Sequence, residues 1–114
     1  MAMTFILNRI LIHFGFPPIT WTDDGWLGKD KIFHFALHFA IVLVGGFALP
    51  WLAFGRTHWL LVAFACLVSI AFGFVWEMYD SARGPGASWK DLIWNNLGMI
   101  LAVIAGVLLL SVIY

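Results

Sequence analysis

The chain has 114 residues, 63% hydrophobic and 11% charged, with a formal net charge of zero and a mean hydropathy of +0.98. A soluble domain is nearer half apolar and a quarter charged, so this composition excludes an ordinary water-soluble globule. With no basic block, the chain also lacks the electrostatic footprint of a nucleic-acid binder, and its length allows one domain, residues 1–114.

Residues 1–16 contain the run TFILNRILIHFGF (4–16), too short and too interrupted by Asn8, Arg9 and His13 to span a bilayer comfortably. Apolar residues at 6, 7, 10, 11 and 14 keep one helical face, which predicts an amphipathic helix lying in the membrane interface. No small-residue cleavage site follows, which argues against a removed signal peptide. Pro17-Pro18 stops the helix, and residues 17–29 form a polar connector whose Trp21 and Trp26 suit the headgroup level.

Three long apolar stretches follow, about Ile32–Phe54, Trp59–Met78 and Leu92–Tyr114, each near the roughly 20 residues a spanning helix needs. They predict an all-α membrane protein with transmembrane helices over 30–54, 58–81 and 89–113. Gly45-Gly46 and Pro50 mark a kink in the far half of the first span. A tight loop over 54–58 makes spans one and two antiparallel neighbours, and Gly84-Pro85-Gly86 makes the second connection. Ser88-Trp89-Lys90-Asp91 matches a capping box at the start of span three. Cys66, the single cysteine, reads as a small apolar residue in mid-span.

Ten of the twelve charged residues fall in two windows, 23–31 and 77–91. With three spans, both windows lie on one side of the membrane. That side carries Arg9, Lys29, Lys31, Arg83 and Lys90 against Arg56 alone opposite, so the positive-inside rule places it in the cytoplasm. Helical periodicity groups Asp30, His34 and His38 on span one. It groups Ser69, Gly73, Glu77 and Asp80 on span two, and Asp91, Asn95, Gly98, Ala102 and Ala105 on span three. If these stripes face inward, Asp30, His34, Glu77, Asp80, Asp91 and Asn95 converge at one end of the bundle, with Lys31 and Arg83 as the nearest cations.

Each element also has a structural reading. Ser88 and Asp91 cap a helix, Asp30 favours a helix dipole, and His34 and His38 donate between packed helices. Glu77, ending an apolar run, is hardest to explain without a partner. A mixed imidazole and carboxylate cluster suits either a divalent metal or proton transfer, and the spacing selects neither. No metalloprotease motif, nucleophile elbow or phosphate-binding glycine loop is present, and no cofactor is required by the sequence.

Three blocks then carry a resemblance. Asp24-Gly25-Trp26, Gly28, Asp30-Lys31 and His34-Phe35 form the first. Gly73, Glu77 and Asp80-Ser81 form the second. Gly86, Ser88-Trp89-Lys90-Asp91, Trp94 and Gly98 form the third. Their order and spacing over residues 24–98 resemble the YfiM-like family of small bacterial envelope proteins, an essentially uncharacterised group usually described as lipoproteins. A looser similarity, through Asp30-Lys31-x-x-His34, a mid-chain acid and Asp91-x-x-x-Asn95-x-x-Gly98, runs to the VanZ-like family. Members of that family are multi-pass membrane proteins linked to glycopeptide resistance, without an established biochemical activity. The chain departs from the lipoprotein description, since no cysteine stands near its N-terminus.

The combined expectation is a multi-pass protein of the bacterial inner membrane. Its cluster of Asp30, Lys31, His34, Glu77, Asp80, Arg83, Ser88, Lys90, Asp91 and Asn95 would bind a lipid or lipid-linked headgroup, with Lys31, Arg83 and Lys90 meeting phosphate. Membrane lipids, a lipid-linked envelope precursor or other membrane subunits are the expected partners. The alternative is an accessory subunit of a larger membrane complex, with His38 available to a pigment or haem. An ion pathway is disfavoured by the nearly apolar deeper halves of the spans.

Overall fold

Apolar sequence at bilayer depth has no water for its backbone amides, so it folds as helices that satisfy themselves internally. A computed structural model of the protein describes residues 2–84 and 86–113. Met1, Pro85 of the second connection and Tyr114 at the end of span three lie outside the described residues. Helix α1 covers Ala2–His13. The first span runs through α2 (Lys29–Val42), a π-helical turn (Leu43–Ala48) and α3 (Leu49–Phe54). Helices α4 (Trp59–Arg83) and α5 (Trp89–Ile113) form the second and third spans. Spans of 26, 25 and 25 residues are each long and apolar enough to cross a membrane. The expected all-α architecture, three long apolar helices plus a short N-terminal one, is therefore what the chain adopts.

Local chemistry sets the breaks. Helix α1 ends at Gly15, in a left-handed conformation (φ 81°), two residues before the prolines expected to stop it. The Phe16 and Gly15 amides donate to the Leu11 and Ile12 carbonyls at 2.8 and 3.0 Å, the paired bonds of a Schellman terminus. The kink expected in span one is a wider turn instead of a bend. Pro50 cannot donate to the Gly46 carbonyl and its ring crowds it, and the chain widens to a π turn over the preceding residues.

Small residues set the helix spacing. Gly98 of α5 lies against the Phe35 backbone of α2, and a Cβ there would overlap the Phe35 carbonyl oxygen. Gly46 fits between Val62 and Ala65 of α4, and the Phe47 ring lies over Gly106. Val42, Phe47, Val62 and Ala102 form the mid-span core, while large apolar side chains such as Leu52, Leu60 and Leu108 point outward.

At the charged end, α1 packs Leu11 against Ile19 and Ala87, with Leu7, Trp21, Phe74 and Met78 around them. The connector is stitched to the α4–α5 loop. The Thr22 amide donates to the Ala87 carbonyl and the Ala87 amide to the Thr20 carbonyl, both at 2.7 Å. Gly86 (φ 120°) permits this pairing, because a Cβ there would lie 3.3 Å from both Thr20 and Thr22 backbone atoms. The Asn8 side chain accepts from the Ile19 amide at 2.7 Å, and the Trp21 indole donates to Thr4 Oγ1 at 3.1 Å. The connector is thereby fixed as one wall of the charged end.

Candidate functional site

The first two turns of α2 and α5 and the last two of α4 meet beneath this connector. The buried stripe of α2 is Lys31, His34, His38 and Val42, so Lys31 takes the inward position that periodicity assigned to Asp30. Asp30 is exposed and turns back to Lys31 at 2.7 Å. On α4 the stripe is as expected through Ser69, Gly73 and Glu77, with Asp80 half-buried at its end. On α5 it is Asp91, Asn95, Gly98 and Ala102, then Gly106 in place of Ala105.

Lys31 is the electrostatic hub. Only 2% exposed, it pairs with Asp24, with Asp30, and with Asp91 at 2.5 Å. Removing such an ammonium from water is tolerable only with its charge matched and its donors used. Ser88 donates to Asp24 at 2.8 Å while accepting the Asp91 amide at 3.2 Å, so it caps α5 and anchors the connector together. The reciprocal half of the expected capping box is absent among the described residues, because the Asp91 carboxylate is drawn to Lys31 and His34 instead. Lys90 donates to the Asp24 carbonyl and lies over the Trp26 and Trp89 rings at 5.3 and 5.7 Å.

Asp24 was missing from the sequence-derived cluster, although it stands in the first charged window and in the first resemblance block. Burial pushes its carboxyl up, but hydrogen bonds from Lys31 and Ser88 and the Lys31 charge outweigh that and hold it below the usual aspartate range. A depressed folded-state value means its stabilising contribution is complete above about pH 4 and is lost as the pH falls through the folded value. Thermal unfolding of Asp24→Asn and wild type in detergent checks this. Wild type is expected to be more stable at neutral pH, and the gap is expected to narrow progressively as the pH is lowered below about 4. A gap independent of pH would mean that Asp24 acts by packing alone.

Below the hub, His34 Nε2 lies 3.3 Å from Asp91 Oδ2, and the imidazole meets the Trp76 ring edge-on at 5.8 Å. Glu77 is 2% exposed; among the described residues no N–H or hydroxyl donor reaches its carboxylate, and the group it meets at hydrogen-bonding range is the Asp91 carboxyl. One donor atom each from His34, Glu77 and Asp91 lie within 4.8 Å of one another. The Asn95 amide rests beside His34 against Gly73, where a Cβ would come within 2.6 Å of Asn95 Nδ2. One turn deeper, His38 Nδ1 and Ser69 Oγ are 2.6 Å apart, both buried, the helix-to-helix bond that its structural reading anticipated.

A pocket of about 630 Å³ opens over this arrangement. Its lining includes Asp24, Lys29, Asp30, Asp80, Ser88 and Asp91, together with Phe33, His34 and Trp76, whose rings contact one another. Of the cations expected to meet phosphate, Lys31 is consumed by carboxylates and Lys90 by the connector. Arg83, in the last turn of α4, is exposed and has no ion pair among the described residues. Lys29 is the lysine that reaches the pocket with an exposed side chain. Comparison with protein-family models, with curated proteins and with solved structures finds no match.

Proposed function

We propose that the chain is a small multi-pass membrane protein of the bacterial cell envelope, related to the YfiM-like and more distantly the VanZ-like families. Its pocket receives the polar headgroup of a lipid or lipid-linked molecule at the cytoplasmic face of the inner membrane. The observation that carries this reading is the position of the pocket. It lies at the polar end of three spanning-length helices and is lined both by the Phe33 and Trp76 rings and by ionisable groups. An amphiphile entering from the bilayer would find both parts of itself matched there, and apolar pockets with a few convergent polar groups are the usual form of small-molecule sites. The relation to the two families is supported by the meeting of all three resemblance blocks in this one place, through Asp24 and His34, Glu77 and Asp80, and Ser88 and Asp91.

The lining narrows the headgroup chemistry. Four aspartates surround the opening and the nearby lysines are mostly paired, so headgroup hydroxyls or an amine are favoured and a bare phosphate is repelled. The test is lipid retention. Wild type and Trp76→Ala/Asp80→Asn are purified in mild detergent, and bound lipid is quantified by native mass spectrometry. The reading expects a defined lipid class at about one per chain in wild type and at least about tenfold less in the variant, the scale of 1.4 kcal/mol. Equal, nonselective lipid in both proteins would remove it. A stable complex with another membrane protein and no retained lipid would favour the accessory-subunit alternative.

A further inference from the structure

We infer that His34, Glu77 and Asp91 form a binding site for one divalent transition-metal ion at the floor of the pocket. Three observations converge on these side chains. The first is geometric. Two ligands bonded to one ion at about 2.1 Å stand about 3.0–3.4 Å apart in octahedral or tetrahedral geometry. His34 Nε2 and Asp91 Oδ2 are separated by 3.3 Å, with a Glu77 oxygen completing a group that spans no more than 4.8 Å.

The second observation is the state of Glu77. A hydrogen bond would account for His34 and Asp91 by themselves, but it leaves Glu77 buried, with no N–H or hydroxyl donor among the described residues and with the Asp91 carboxyl as its hydrogen-bonding neighbour. Two buried carboxylates side by side repel each other unless a proton or a cation lies between them. Lys31 does not serve that purpose, because its ammonium sits on the far side of Asp91, at Oδ1, and is shared with Asp24 and Asp30.

The third is charge. Among the described residues, the four carboxylates of Asp24, Asp30, Glu77 and Asp91 outnumber the two ammonium groups bonded here, Lys31 and Lys90. A divalent ion offsets most of the excess where it is most deeply buried. One imidazole and two carboxylates suit Zn²⁺, Mn²⁺ or Fe²⁺ better than Mg²⁺, which favours all-oxygen ligands. Three protein ligands with one side open is also the pattern of metal sites that keep a position for water or substrate. Here two of the three, His34 and Asp91, border the pocket, which gives the ion a route of entry from it. The inference takes from the headgroup reading only the place of the pocket. A bound ion would extend the headgroup chemistry to an anionic oxygen, such as that of a phosphate, which the aspartates alone repel.

The test uses full-length protein in detergent, stripped with a chelator and titrated with Co²⁺, without added lipid. Failure here is therefore separate from failure of lipid retention. Wild type is expected to bind one Co²⁺ per chain, with visible ligand-field absorption, displaced by Zn²⁺ and not by Mg²⁺. Glu77→Gln and His34→Gln are expected to weaken binding by at least about 10–100-fold, the loss typical of disturbing even the supporting shell of a metal site. Asp23→Asn, whose side chain is exposed and outside the set, is expected to match wild type. Saturable binding absent from folded wild type, or Glu77→Gln retaining wild-type affinity, would overturn the inference. So would an infrared carbonyl band of a protonated carboxyl that persists in metal-treated wild type and vanishes in Glu77→Gln, since a shared proton would then hold Glu77 and Asp91 together.

Discussion

Lys31→Met is expected to lower the stability of the folded protein in detergent by about 3 kcal/mol, at the lower end of the 3–5 kcal/mol typical of removing one partner from a buried ion pair. The side chains are of similar length, so little packing is lost and the effect isolates the charge. Asp91, with 8% of its side chain exposed, is left facing Glu77 with no ammonium beside it. Asp24 loses the partner that ties the connector to the bundle. Asp30, with 59% of its side chain exposed, rehydrates at little cost, which is why the lower end of the range applies. The double variant Lys31→Met/Asp91→Asn is expected to recover a large part of the loss, because the deepest uncompensated charge is then gone. Denaturant or thermal unfolding followed by circular dichroism measures both. A Lys31→Met protein as stable as wild type would mean that water, and not the lysine, compensates the carboxylates.

The second large effect is steric. Gly98→Ala is expected to destabilise by about 1–3 kcal/mol, the range for forcing an extra methyl into a filled interface. The added Cβ would overlap the Phe35 carbonyl oxygen and stand 3.1 Å from the carbonyl carbon, and a backbone cannot rotate away as a side chain can. Helices α2 and α5 must therefore part, and this contact adjoins His34 on α2 and lies about two turns from Asp91 on α5. The same variant is expected to weaken metal binding, although residue 98 bears no ligand. Gly45→Ala supplies the control, since nothing lies within 4 Å of the position its Cβ would take. There the greater helix propensity of alanine is expected to leave stability unchanged or raise it slightly. Equal effects at the two positions would show that helix propensity, and not close approach, governs Gly98.

Much of the fold was legible because lipid simplifies the code. Apolar runs of spanning length must be helical, and the loop over 54–58, Gly84 and Ser88 marked where they start and stop. The inward stripes were legible for α4 and most of α5, because small and polar residues at spacings of three and four stand out against leucine and phenylalanine. The stripe of α2 was misplaced by one residue near its N-terminus. There a lysine and an aspartate are adjacent, either one fits the period, and only the carboxylates contributed by other segments decide which turns inward. The stop of α1 at Gly15 was masked by the stronger signal of Pro17-Pro18.

The sequence by itself determined the membrane class, the three spans, the common side of both charged windows and the candidacy of His34, Glu77 and Asp91. Periodicity is local and acts within one helix, so these could be read from the chain. The tertiary structure alone decided that Asp24 belongs to the site and that Lys31 and Lys90 are spent on internal partners. It also decided that Arg83 stands apart and that Glu77 ends up buried against the Asp91 carboxyl, with no N–H or hydroxyl donor among the described residues. Those facts depend on an irregular connector held against the α4–α5 loop by two backbone hydrogen bonds, pairings that no helical period encodes.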